Sequence, residues 1–257
     1  MLGVLAGSVR YPGAAVLATS AAAPLVGMVR YPGPDPVAHA VLARHPEVVA
    51  GSGRVQAWVI GPGVGVDDEE RLAEARETLA RAIADGLPAV VDAGALDVLP
   101  ERVGAQIVLT PHAGELARLL SARGDQVERG EVEARPAHHL RRAVDLTGAT
   151  VLLKGSVTLV AGPGTPVHSQ DGSTDWLATA GAGDVLAGVL GAALAGRSDD
   201  VVAQPALATP LAAAAALLHG WAARRAGRGG RGGPVVAGDV AGAVGGSLGA
   251  LLATLRD

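Results

Sequence analysis

The sequence has no cysteine, no phenylalanine, a single lysine and only 2% aromatic residues. Without cysteine there are no disulfides, no thiolate metal sites and no cysteine nucleophile. The chain suits a reducing compartment, and the cytoplasm is the expected location. Without phenylalanine the core must be built from alanine, valine and leucine, which brings elements close together and suits helices layered on a sheet. A long uninterrupted apolar segment is also lacking. Residues 207–221 are apolar but short, alanine-rich and interrupted by Pro210, so no membrane span is expected. The mildly apolar N-terminus has no basic region ahead of it and is broken by Arg10, Pro12 and Gly13, unlike a signal peptide. A net charge of −4 argues against nucleic acid as the main partner.

What is present is a chain of 257 residues, 49% of them hydrophobic. That suits one large α/β domain, expected over residues 1–257, with a substantial core. Short apolar runs at 2–6, 57–60, 88–91, 106–109, 150–153, 157–161 and 166–169 read as strands. Residues 13–28, 67–85, 114–120, 137–146, 185–195, 211–225 and 240–255 read as helices. Acids in the first turn of 67–85 favour a helix start there. Residues 121–136 read as a loop leading into a helix, and 228–233 as a Gly/Arg loop. Strands alternating with helices predict a mainly parallel sheet with helices on both faces. Strand ends at Gly61, Asp92, Thr110 and Lys154 run into polar or glycine-rich loops. In an open α/β sheet such carboxyl-end loops converge on the ligand crevice.

The richest segment is Leu177-Ala178-Thr179-Ala180-Gly181-Ala182-Gly183-Asp184, followed directly by a helix. Glycines let a backbone approach a phosphate closely, and the amides of a helix start bind anions. Asp184 then stands at the mouth of an anion site. Such a carboxylate either takes a proton from an attacking hydroxyl or merely caps the helix. Lys154-Gly155-Ser156-Val157-Thr158 follows a strand. There Lys154 either neutralises a phosphate or ends the strand as a surface lysine. Lysine used once among arginines is composition bias, or the mark of a place that needs a compact ammonium. In Thr110-Pro111-His112-Ala113-Gly114-Glu115, His112 either binds substrate or shuttles a proton, or else Thr110 or His112 caps a helix while Glu115 serves its dipole. Gly61-Pro62-Gly63-Val64-Gly65 is neither a P-loop nor a dinucleotide fingerprint. Gly245-Gly246-Ser247-Leu248-Gly249 has the nucleophile-elbow pattern, but no histidine follows it. His138-His139 has no metal-ligand partner at helical spacing.

Taken in order, Gly7-Ser8 with Tyr11-Pro12-Gly13-Ala14, the Gly61 to Gly65 run, Asp92-Ala93, Thr110-Pro111-His112-Ala113-Gly114-Glu115, Lys154-Gly155 with Thr158 and the Leu177 to Gly188 segment form one pattern. Together they resemble the nucleotide-dependent NAD(P)H-hydrate dehydratases, over nearly the whole chain. The resemblance implies a three-layer ribokinase-like α/β fold. It implies repair of (S)-NADH hydrate or (S)-NADPH hydrate by phosphorylation of the ring hydroxyl and loss of phosphate. ADP is the expected donor, giving AMP and phosphate, with ATP the alternative and Mg²⁺ bridging the nucleotide phosphates. By the same resemblance Ala14, Gly65, His112 and Asp184 contact the hydrated dinucleotide. Lys154, Gly155, Ser156, Val157, Thr158, Gly181, Ala182 and Gly183 hold the nucleotide, and Asp184 activates the hydroxyl. A homo-oligomer such as a tetramer and functional pairing with an NAD(P)H-hydrate epimerase are also implied.

Two positions depart from the family pattern: Gly94 stands where a second aspartate is usual, and Trp176 replaces a small turn residue. The chain opens almost on its first strand, without the leading segment and epimerase domain of many relatives. It therefore reads as a stand-alone dehydratase or a domain of a longer one. A small-molecule kinase of the same superfamily, or a non-catalytic nucleotide-binding module, are the competing readings. The Thr110 to Glu115 segment resembles the dehydratases more than the kinases.

Overall fold

The apolar runs form strands wherever they are short and punctuated by glycine or proline, and the computed structural model describes residues 1–227 and 233–254. The strands are β1 (Leu2–Leu5), β2 (Val29–Tyr31), β3 (Val49–Ala50), β4 (Ala57–Ile60), β5 (Ala89–Val91), β6 (Ile107–Leu109), β7 (Thr150–Leu153), β8 (Thr158–Ala161) and β9 (His168–Gln170). They form a single sheet in the order β3-β2-β1-β4-β5-β6-β7-β8-β9. Neighbours are parallel from β3 through β7, and β8 and β9 are added antiparallel. The helices are α1 (Pro12–Ala22), α2 (Asp35–Arg44), α3 (Glu69–Ala84), α4 (Ala113–Ser121), α5 (Arg129–Ala134), α6 (Pro136–Thr147), α7 (Ala182–Gly196), α8 (Ser198–Ala203), α9 (Ala208–Ala226) and α10 (Ala237–Thr254).

The period-two alternation of the strands divides the core between the two faces of the sheet. Leu2, Val4, Val59, Val90, Val108 and Leu152 join the buried residues of α1, α2, α7, α9 and α10. Leu5, Ile60, Val91, Leu109 and Leu153 face α3, α4 and α6. This gives the expected three-layer arrangement. On the first face the alanine- and glycine-rich composition replaces aromatic bulk with close approach. A side chain at Gly188 of α7 would strike the backbone of Ala18 in α1, and one at Gly191 would strike Val59 of β4.

The helix foreseen over 13–28 ends at Ala22 and passes into a 3-10 turn, Ala23–Leu25, where Pro24 lacks the amide needed to continue. Residues 29–50, which carried no helix or strand expectation, hold β2, α2 and β3, elements too short for their periodicity to stand out. Helix α7 starts at Ala182 rather than 185, so Asp184 lies inside its first turn. By length and composition alone Pro205–Ala226 and Ala237–Thr254 would suffice to cross a membrane. In this fold α9 instead buries Ala212, Ala215, Leu218 and Ala222 in the core. The Gly/Arg loop expected over 228–233 lies, through residue 232, outside the described residues.

Because β1 and β4 to β7 are parallel, their C-terminal loops leave the same edge. They meet there the N-terminus of α7, which packs between α1 and α9. Filling the α1–α7 contact should therefore cost stability directly. Gly188→Val is expected to lower unfolding free energy by about 1–3 kcal/mol or more, as overpacking does. Urea denaturation checks this, and an unchanged midpoint would show that the two helices do not touch there.

Candidate active site

Lys154 is carried just past β7, where its amide donates to the carbonyl of Pro111 at 2.8 Å and it pairs with His112 as an isolated parallel bridge. Its ammonium is held by three carboxylates. Nζ lies 2.8 Å from Asp92 Oδ1 and 3.7 Å from Glu115 Oε2, and Asp184 adds its charge. Burial alone would lower the Lys154 pKa, but these carboxylates outweigh it and hold the group above its ordinary value. Asp92 is buried at the end of β5, and the same Oδ1 accepts from the Thr110 hydroxyl at 2.8 Å. The pair is thus hydrogen-bonded as a buried charge requires.

His112 caps α4. Its Nδ1 accepts from the amides of Gly114 and Glu115 at 3.1 and 3.2 Å, while Glu115 Oε2 accepts from the His112 amide at 2.8 Å. This is the capping box that the sequence allowed. With Nδ1 occupied as an acceptor, the imidazole proton sits on Nε2 in the neutral ring. That ring is more than half exposed and lines a cleft.

The cap of α7 is Gly181 at φ 86°, with no side-chain hydrogen bond, so Asp184 does not cap the helix. In the first turn the amide of Ala182 is used by the Thr179 carbonyl, at 3.3 Å. The amides of Gly183 and Asp184 are left among those without an intrahelical acceptor. Lys154 lies directly over them: a Cβ at Gly183 would stand 3.4 Å from Nζ. An ammonium against a helix N-terminus offers the charge and the donors that suit a phosphate. Asp184 is pushed up to about 7, first by burial and then by Asp92, against the opposing pull of Lys154. A carboxylate there is suited to exchange a proton near neutrality.

The cleft measures about 650 Å³, and its lining includes His112, Lys154, Gly155, Ser156, Thr158, Ala182 and Gly183. Leu177, Leu186, Ala216 and Leu217 supply an apolar part. Val157 is exposed, and neither it nor Gly181 is among the lining residues. Ala14 and Gly65 do not line the cleft either. Ala14 is buried in the first turn of α1 and Gly65 lies in the loop after β4, where the backbones meet closely: Gly63 abuts Ala14 Cβ, and Gly7 donates to the Pro62 carbonyl at 2.7 Å. The departure at Gly94 has a steric cause, because a Cβ there would strike the Val64 carbonyl. Trp176 is half-exposed on a 3-10 turn, Asp175–Leu177, whose other two residues line the cleft.

Sequence reasoning missed two buried groups around this site. Arg71, 3% exposed in α3, donates to the carbonyls of Gly7 at 3.0 Å and Ala6 at 3.2 Å, and so braces the loop after β1. In sequence it is one more arginine in a charged helix. His219 of α9 lines the cleft. Its only sequence signal is a lone histidine in an alanine-rich run.

A mainly parallel sheet with a glycine-rich helix start at its carboxyl edge and a carboxylate beside it is the layout of the ribokinase-like α/β fold, and solved structures of that class share the fold. A structure of an ADP/ATP-dependent NAD(P)H-hydrate dehydratase from Bacillus subtilis superposes with a TM-score of 0.80 at 24% identity, covering 97% of this chain and 91% of that one. The sequence model for NAD(P)H-hydrate dehydratase matches residues 2–229, and the chain belongs to that family. It is 46% identical over 205 residues to the bifunctional NAD(P)H-hydrate repair enzyme Nnr of Mycobacterium tuberculosis, a stretch that is 75% of this chain and 40% of that protein. It is 35% identical over 241 residues to the ADP-dependent (S)-NAD(P)H-hydrate dehydratase of Neisseria meningitidis, 86% of this chain and 75% of that protein.

The raised Asp184 has a thermodynamic signature. The folded chain keeps this proton up to about pH 7, whereas an unperturbed aspartate releases it near 3.8. Between those values the folded state binds the extra proton, so this group's contribution to stability falls as pH rises through the window. Asp184→Asn should therefore raise Tm at pH 8 and change it much less at pH 4. An equal shift at both pH values would show that the carboxylate is not perturbed.

Proposed function

We propose that the chain is an ADP-dependent (S)-NAD(P)H-hydrate dehydratase that uses ADP, giving AMP and phosphate. The observation that carries this is the placing of the sole lysine over the first turn of α7, within which Asp184 is held near neutrality. The nucleotide phosphates take the Lys154 ammonium and the amides of Gly183 and Asp184. Gly155, Ser156 and Val157 form the loop beneath them and Thr158 opens β8, with Gly181 and Ala182 setting the turn. The hydrated dinucleotide approaches from the side of Ala14, Gly65 and His112, whose Nε2–H is free to donate.

Asp184 takes the proton of the ring hydroxyl as its oxygen attacks the terminal phosphorus. The bond from that phosphorus to the bridging oxygen breaks, and AMP departs. The amides at the α7 terminus stabilise charge on the transferred group. Phosphate then leaves from the ring with the electron pair of the carbon–oxygen bond, a far better departure than hydroxide; the neighbouring ring carbon releases a proton to solvent, its C–H electron pair forms the ring double bond, and the dihydronicotinamide is restored. Among the described residues no cluster of three or more acidic or histidine side chains is arranged to hold a metal. The acids that come together surround Lys154 instead. A Mg²⁺ would therefore come with the nucleotide rather than from a protein-built site. Its contribution when bound is to neutralise phosphate charge.

We read residues 1–257 as one catalytic domain working in the cytoplasm. An NAD(P)H-hydrate epimerase is its functional partner, because a stereospecific site handles only one of the two hydrates. The chain spans less than half of the M. tuberculosis relative, which is itself bifunctional. Homo-oligomerisation is supported by the apolar surface of α10, where Leu252 is exposed, and by exposed Trp221 of α9. Light scattering tests it, and a monomer at micromolar concentration removes it.

The activity is tested by incubating the protein with hydrated NADH or NADPH and ADP or ATP, and following the absorbance of regenerated coenzyme. Recovery is expected with ADP, and none with either nucleotide sinks the proposal. Accumulation of a stable phosphorylated product would instead mark a kinase. Asp184→Asn should keep nucleotide binding and lose turnover by about 10²–10⁴-fold. In the wild type, turnover should rise as pH passes through about 7, where Asp184 ionises.

A further inference from the structure

His219 is the buried titratable group of the cleft that has no task in the chemistry above. It shares one face of α9 with Ala216, three residues earlier, and both line the cleft with Leu217 and Leu186. The lining thus has a charged and amide-rich part around Lys154 and Gly183, which suits phosphates, and an apolar part, which suits a base. His219 is a polar group on the same helix as much of the apolar part. It is 6% exposed, and burial pushes its imidazole down to about 4, so the ring is neutral at any working pH. A neutral imidazole offers one N–H and one lone pair. The Ala182 backbone acts on the ring in the direction that raises its pKa, as a carbonyl accepting the imidazole proton does. Nε2 is buried and has no hydrogen-bond partner. A buried polar atom left unpaired is costly, and a ligand that supplies a donor removes that cost.

We infer that His219 Nε2 is the acceptor that recognises the nucleoside of the bound nucleotide, taking a hydrogen bond from a donor that is either the exocyclic amine of adenine or a ribose hydroxyl. This rests on the reading of the cleft as a nucleotide site. It goes further in assigning base or sugar selectivity to a residue of α9 that holds no phosphate and performs no proton transfer. The apolar neighbours exclude water from the bond, so an analogue without the donor leaves Nε2 unpaired and is rejected.

Calorimetric titration tests this without any hydrated coenzyme. The ligands are ADP, IDP, in which a carbonyl replaces the amine, and 2′-deoxy-ADP and 3′-deoxy-ADP. The wild type should bind ADP at least about tenfold more tightly than the analogue that lacks the recognised donor. A loss with IDP identifies the amine, and a loss with either deoxynucleotide identifies the hydroxyl. His219→Leu should reduce that preference to within about twofold. His219→Gln, whose amide oxygen is still an acceptor, should restore part of it. The inference is overturned if the wild type binds all four nucleotides alike, or if both variants keep its preference. A wild type that binds no nucleotide overturns the functional reading itself, which separates the two failures.

Discussion

The site depends on one buried cation. Lys154 is the point where the loops after β5, β6 and β7 and the first turn of α7 meet, and its charge makes their convergence stable. Asp92 would be a costly buried carboxylate without it, and Glu115 and Asp184 would add like charge to the same small volume. With the ammonium present, Asp92 Oδ1 accepts from both Lys154 and Thr110, each at 2.8 Å. Asp184 receives too little of that compensation to stay at an ordinary aspartate value. An arginine could not do the same work. Its planar fork is larger than a compact ammonium, whose Nζ here meets Asp92 Oδ1 at 2.8 Å and would stand 3.4 Å from a side-chain carbon at Gly183.

The packing of the fold serves this meeting of loops. A core without phenylalanine must fill its volume by bringing backbones together, and the α1–α7 contact at Gly188 and Ala18 is the clearest instance. That contact sets the depth at which α7 begins, and so the height of its free amides relative to Lys154. The glycines of the Gly61 to Gly65 run act similarly in the loop after β4. Gly61 sits at φ 113° against the Asp92 carbonyl, and Gly63 is pressed on Ala14. Arg71 holds the carbonyls of Ala6 and Gly7 from behind. The loop after β4 thus leans directly on the loop after β5, through Gly61 against the Asp92 carbonyl and Gly94 against the Val64 carbonyl, and Asp92 in turn holds Lys154.

Much of this was legible in the chain. The strands β4 and β7 coincide with their apolar runs, and the strand-end loops carry the motifs that meet at the carboxyl edge. The steps that failed have local causes. Residues 29–50 hold a three-residue strand, a ten-residue helix and a two-residue strand, none long enough to establish a period. Both readings of His112 turned out to be compatible, because one ring nitrogen caps α4 while the ring faces the cleft. Gly94 looked like a lost aspartate, whereas the space for a side chain is taken by the Val64 carbonyl.

The sequence by itself determined the layered architecture, through strand and helix periods, and the stock of chemical groups: a single lysine, a glycine-rich helix start and an aspartate beside it. These are local properties, fixed by the order of residues along a few turns. Only the tertiary structure decided what the groups do to one another. Asp92, Glu115, Lys154 and Asp184 are far apart in sequence, and their mutual charge, their burial and the resulting proton affinity of Asp184 exist only once the sheet aligns its loops. Electrostatic energy in a protein depends on distance and on exclusion of water, and neither is written in a linear chain.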